Sequence, residues 1–141
     1  MRWLFKEDPD SYSYEDLVKD GKTSWEGVRN NLALKNLRQV KKGDEILFYE
    51  TGDQKSVVGI MRAESNAFAK DKVTDISKSK EISVNIRPLS KLKRPITLAE
   101  IKSKAEFKDF ALVRISRLSV MPVTEEQWKE IVSMSGNATG F

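Results

Sequence analysis

The sequence contains neither cysteine nor histidine. Without cysteine there is no disulfide framework, no thiolate metal site and no thiol nucleophile. Without histidine there is no Ser-His-Asp or Cys-His catalysis, no imidazole-bound zinc or iron, and no general base poised near neutral pH. An enzyme built from this chain would have to move protons with carboxylates, lysine, tyrosine or a bound cofactor. The seven glycines are scattered, with no G-x-G-x-x-G or phosphate-loop spacing. No apolar run approaches the roughly 20 residues that cross a bilayer. Lys6, Glu7, Asp8 and Asp10 interrupt the N-terminus before a signal-peptide core could form. The expected location is the cytoplasm, with access to a nucleoid, or the nucleus if the source is eukaryotic.

What remains is an ordinary globular balance. Hydrophobic residues make up 39% and charged residues 33% of 141 positions, enough for one core and a single domain over residues 1–141. Net charge is +4 and unevenly placed. Lys78, Lys80, Arg87, Lys91, Lys93 and Arg94 stand against Glu81 alone between positions 78 and 94, while the first twenty residues are acidic. Such a stretch attracts phosphate backbones, and it serves equally as a solvated basic surface.

The pattern predicts a strand over Arg2 to Phe5, a turn at Asp8-Pro9-Asp10, and a helix from Tyr14 to Gly21 with Leu17 and Val18 inward. Thr23 to Asn30 reads as irregular. Leu32, Ala33, Leu37 and Val40 recur at helical spacing between Asn31 and Val40. Strands follow over Glu45–Tyr49 and Ser56–Ala63, joined by a Gly-containing hairpin turn. Residues 65–79 read as a long loop and Glu81–Arg87 as a half-buried strand. Thr97 and Thr124 each open a helix with a capping box. Ala111 to Ile115 looks strand-like, Arg117 to Val123 extended, and 135–141 a frayed tail. Short strands interleaved with short helices, without βαβ spacing, indicate an α+β fold.

Three segments offer chemistry. Trp25-Glu26-Gly27-Val28-Arg29-Asn30 places an indole, planar multi-donor groups and a helix N-terminus together, the parts of a nucleobase pocket; a core tryptophan followed by an Asn N-cap would look the same. Phe48 and Tyr49 end a strand, so one points inward and the other can line a cavity. Arg117, Leu118 and Ser119 fall in a segment broken by Pro122 and suit base-edge or phosphate contacts, or plain turn satisfaction. The acidic pairs Asp8/Asp10 and Asp71/Asp75 lack any calcium-loop pattern, and no metal site is expected.

Taken in order, these segments resemble the EVE domain family, which includes thymocyte nuclear protein-like chains. Trp3-Leu4-Phe5-Lys6 with Pro9 resembles its W-L-x-K-S-E-P opening, and Trp25 to Asn30 resembles W-D-G-V-R-N. Gly43-Asp44 with Leu47-Phe48-Tyr49 resembles G-D-x-x-L-F-Y, and Arg117 to Val123 with Trp128 resembles R-L-S-V-x-P-V…W. The resemblance spans about residues 3 to 132. It implies a PUA-like bent mixed β-barrel flanked by short helices, with a pocket for a single flipped, modified base of DNA or RNA. Carried over by position, the pocket residues are Trp25, Val28, Arg29, Asn30, Phe48, Tyr49, Glu50, Arg117, Leu118 and Ser119, with Lys78, Lys80, Arg87, Lys91, Lys93 and Arg94 along the nucleic-acid backbone. The chain departs from the family at Glu7, Asp8, Glu26, Asn31, Leu34 and Glu50-Thr51. A carboxylate at Glu50 favours a base edge with an amino donor, or a cationic base. The implied function is a non-catalytic base reader with no cofactor. The alternatives are an enzyme acting on a nucleotide or modified base, using Tyr49, Glu50 or Asp8, and a protein- or small-molecule-binding domain on the same fold.

Overall fold

The computed structural model describes residues 1–71 and 75–137. Seven strands form one curled mixed sheet: β1 (Arg2–Glu7), β2 (Thr23–Trp25), β3 (Glu45–Glu50), β4 (Ser56–Ala63), β5 (Phe68–Ala69), β6 (Ile82–Thr97) and β7 (Val120–Val123). Their order is β2-β6-β4-β3-β1-β7, with β5 also on β6. Only β1 and β3 run parallel; the other pairs are antiparallel. Five short helices flank the sheet: α1 (Tyr14–Asp20), α2 (Asn31–Leu37), α3 (Leu98–Lys102), α4 (Ala111–Arg114) and α5 (Glu125–Met134). The fold is therefore α+β and PUA-like, a half-barrel with helices against it.

The curl comes mainly from β6. It pairs with β4 from Ser56↔Thr97 to Ala63↔Ile86, and its register slips between Val57 and Gly59 and again between Ile60 and Met61. These irregularities admit Pro88 and Pro95, which a regular central strand would reject. That is why the strand runs ten residues past Arg87, where the sequence alone suggested a break. A second correction concerns Thr23–Trp25, which pairs with β6 instead of lying irregular. A third is Ala111–Arg114, which is helical: the Ile115 N–H donates to the Ala111 carbonyl at 2.8 Å. Five apolar-rich residues are too few for periodicity to separate helix from strand.

Caps set the helix limits where expected. Ser13, Thr97 and Thr124 each form a full capping box, and Gly21 closes α1 at φ 77°. Two inward assignments fail, however: Val18 is 50% and Leu32 42% exposed, and Leu34 is buried on α2 instead. The loop expected over 65–79 contains β5 and a 3-10 turn at Ile76–Lys78, with 72–74 outside the described residues. The tail is anchored as far as it is described: Ser135 is buried and the Asn137 Oδ1 accepts the Lys93 N–H at 2.7 Å.

Candidate functional site

The parallel β1–β3 pair sorts its residues into two faces. Phe5 lies beside Phe48, Lys6 beside Tyr49, and Glu7 beside Glu50. Successive strand residues alternate sides, so Phe5, Glu7, Phe48 and Glu50 share one face, and Lys6 and Tyr49 share the other. The contacts agree. Phe5 and Phe48 both meet Trp25, with ring centroids 5.3 and 5.5 Å away, and the Tyr14 ring meets Phe48 edge-on at 5.4 Å. On the opposite side the Lys6 ammonium sits 5.7 Å from the Tyr49 ring centroid.

Trp25 reaches this cluster because its Cα pairs with Val84 of β6, whose side chain is buried. The ring is 6% exposed. The aromatic rings close on one another, and the opening lies beside them. It is a cleft of about 410 Å³ lined by Glu26, Gly27, Val28 and Arg29 on one wall and by Lys70 and Lys80 to Ile82 on the other. Ile82 lies two residues from Val84, the partner of Trp25, on the same face of β6, so the cleft opens one side-chain position along the strand from the indole, which is not itself part of its lining. Gly27 turns the near wall at φ 80°, a conformation that side chains resist. Glu26 and Lys70 join the two walls by a 2.9 Å ion pair. Asn30 holds the far end of the loop, its Oδ1 accepting the Ala33 N–H at 3.0 Å as the α2 cap. Val28 packs partly buried against the core, and Arg29 is exposed.

The remaining expected residues do not converge on one opening. Glu50 stands on the aromatic face, but its Oε2 accepts the Tyr14 N–H at 2.9 Å and so serves the start of α1. Tyr49 lines a separate cleft with Lys6. Leu118 is buried, Arg117 exposed, and the Ser119 carbonyl accepts the Lys6 N–H at 2.9 Å. The basic stretch is spread along β6 and the turn before it. Arg87 pairs with Glu64, Lys91 with Glu15 and Arg94 with Glu100, each at 2.7 Å. Three of six cations are thus neutralised locally, and Lys80 is the one that lines the 410 Å³ cleft.

Burial pushes the Tyr14 hydroxyl up to about 12 and raises Tyr49 as well. Both phenols keep their protons at neutral pH, and the Tyr14 hydroxyl donates to the Ile60 carbonyl at 2.7 Å. The acidic pairs are occupied by local donors, Asp71 by the Ser79 hydroxyl at 2.8 Å. The Asp8 Oδ1 accepts the Asp10 N–H and the Asp75 Oδ1 accepts the Ser77 N–H. Among the described residues no group of three or more His, Cys, Asp or Glu side chains could hold a metal. Phe5, Tyr14, Lys70 and Ile82 were not singled out from sequence. Phe5 joins the cluster through the parallel register of β1 on β3, which no spacing in the sequence marks.

The EVE domain model matches residues 1–134. Human thymocyte nuclear protein 1 is 31% identical over 94% of this chain and 72% of its own length. A solved protein of Agrobacterium tumefaciens is 34% identical at a TM-score of 0.88, over 97% of this chain and 94% of that one. The crystal structure of human THYN1 protein in complex with 5-methylcytosine-containing DNA is 27% identical at a TM-score of 0.85, over 97% and 98% of the two chains.

Proposed function

The chain belongs to the EVE domain family, and from that premise we propose that it is a non-catalytic DNA-binding module that captures one flipped, modified nucleobase, a modified cytosine first among candidates. The observation that carries this is the likeness, over 97% of the chain, to a protein solved with 5-methylcytosine-containing DNA. In this reading the base enters the cleft beside Trp25 and opens the packing that leaves the indole 6% exposed, gaining a stacking contact worth roughly 1–3 kcal/mol. Arg29 and Lys80, both exposed at that cleft, meet flanking phosphates. Arg117 adds a cation to the strand path. The absence of histidine and cysteine, with both buried tyrosines held protonated, supports binding without proton transfer.

The test is fluorescence anisotropy with DNA and RNA oligonucleotides carrying unmodified or methylated cytosine or adenine, at low and high salt. A preference for one modified base that survives high salt, and falls in a folded Trp25→Phe or Arg29→Ala variant, supports the proposal. Uniform weak binding that salt abolishes would sink it. RNA favoured over DNA at equal modification would move the partner and leave the pocket standing.

A further inference from the structure

The Lys6–Tyr49 face carries a second cleft, of about 310 Å³, whose lining includes Lys6, Tyr49, Thr51, Lys55, Lys102 and Ser116 and no carboxylate. Three elements each bring one cation to it: β1 brings Lys6, the β3–β4 turn brings Lys55, and the last residue of α3 is Lys102. None of the three forms an ion pair among the described residues, in contrast to half of the basic stretch on β6.

The Lys6 ammonium is held directly, and Lys55 and Lys102 are placed through their backbones. The Lys6 ammonium donates to the Ser116 carbonyl at 2.8 Å and faces the Tyr49 ring. Burial strips water from this ammonium and lowers its pKa from the ordinary lysine value. Lys55 is the one non-glycine residue at positive φ among those described, at 43°. That conformation opposes its own Cβ, yet the Lys55 carbonyl is bound by the first N–H of α3, from Leu98, at 2.7 Å. The same helix is pinned by its Thr97–Glu100 capping box, which sets where Lys102 stands. A concave, three-cation site without a counter-carboxylate is complementary to a compact oxyanion with several acceptor oxygens.

We propose that this cleft is a phosphate site, taking either a diester of a nucleic-acid strand or the terminal phosphate of a free nucleotide. It lies on the opposite side of the β1–β3 pair from Trp25 and does not depend on the base pocket.

The experiment is amide chemical-shift mapping of the intact chain titrated with inorganic phosphate, with deoxycytidine 5′-monophosphate, and with a short unmodified single-stranded DNA. Saturable shifts centred on Lys6, Tyr49, Lys55 and Lys102 are expected from at least one probe. Affinity should fall roughly tenfold or more in a Lys55→Gly/Lys102→Ala variant, as loss of charged hydrogen bonds implies. Lys55→Gly suits the positive φ, so that variant keeps its fold where Lys6→Met could lose it. Tighter binding of the monophosphate identifies a free nucleotide as the source; tighter binding of the strand identifies the diester. Absence of saturable shifts from all three probes, or unchanged affinity in the variant, overturns the proposal. Because no probe carries a modified base, neither result bears on the Trp25 cleft.

Discussion

The two faces of one strand pair teach opposite lessons. On the Phe5–Phe48 side the chain has placed rings that fill space, with Trp25 and Tyr14 closing over them. On the Lys6–Tyr49 side, one residue further along, it has placed an ammonium without a carboxylate partner and left a cleft around it. The first arrangement contributes to stability whether or not a ligand is bound. The second contributes little to folding, so its conformational and desolvation costs point to a ligand. Substitutions on the two faces should therefore separate: large stability losses on one, binding losses alone on the other.

The largest effect is expected at Trp25. Truncation to alanine removes a ring that touches Phe5 and Phe48, and should cost about 3–5 kcal/mol in denaturant unfolding. Lys102→Ala, exposed at the end of α3, should stay within about 0.5 kcal/mol. Equal costs would break the division between faces. Next comes Gly59, opposite Phe48 on β4. A Cβ there would stand 2.3 Å from the Tyr14 Cε1, so Gly59→Ala must displace the ring or the whole of α1. The expected loss is about 2–3 kcal/mol. In a Tyr14→Ala background the added methyl has room, and most of that loss should vanish; a persistent loss would place the strain in β4 itself.

Tyr14 also gives the aromatic face a pH signature. Burial raises its folded pKa to about 12 from the ordinary tyrosine value of 10.0. The neutral phenol's contribution is therefore whole below pH 10. It drains away as pH rises towards 12, because the unfolded chain ionises first. The total is roughly 2–3 kcal/mol. Unfolding midpoints measured from pH 9 to 12 should fall more steeply in the native sequence than in Tyr14→Phe. Parallel curves would mean that Tyr14 is not held neutral by its surroundings, and that lysine titration accounts for the alkaline loss.

Much of this architecture was legible in advance, and the reasons for the gaps are local. Capping residues act within four positions, so Thr97 and Thr124 announced their helices without any tertiary knowledge. Trp25, Phe48 and Tyr49 could be marked as unusual for the same reason. What could not be read was partnership across distance. The parallel register of β1 on β3 decides that Phe5 joins Trp25 while Lys6 turns away, and no spacing in either strand encodes it. Nor could spacing reveal that Glu50 would be taken by the Tyr14 N–H, thirty-six residues back. The basic stretch misled in a related way. Charges adjacent in sequence were taken as one patch, but an extended strand of sixteen residues spreads them over as much as about 50 Å.

The smallest expected effect tests that last point. If DNA follows the Trp25 cleft, Lys80 contacts a phosphate and Lys80→Ala should lower the slope of log affinity against log salt by about 0.7–0.9. Lys91 is held by Glu15 at 2.7 Å, with both side chains about two-thirds exposed. Exposed pairs of this kind are weak, worth about 0–1 kcal/mol, so the bond itself would not stop Lys91 from swinging to a phosphate. What the pair does is cancel charge: the strand meets a neutral dipole there, and Lys91→Ala leaves Glu15 uncompensated. Lys91→Ala should then weaken binding slightly through the freed carboxylate, with little change in slope. Glu15→Gln discriminates further. If Lys91 lies off the strand's path, releasing it tightens binding only through net charge, an effect that disappears at high salt. If Glu15→Gln instead steepens the slope as much as Lys80→Ala lowers it, the strand reaches across to the middle of β6, and the cleft beside Trp25 does not define its course.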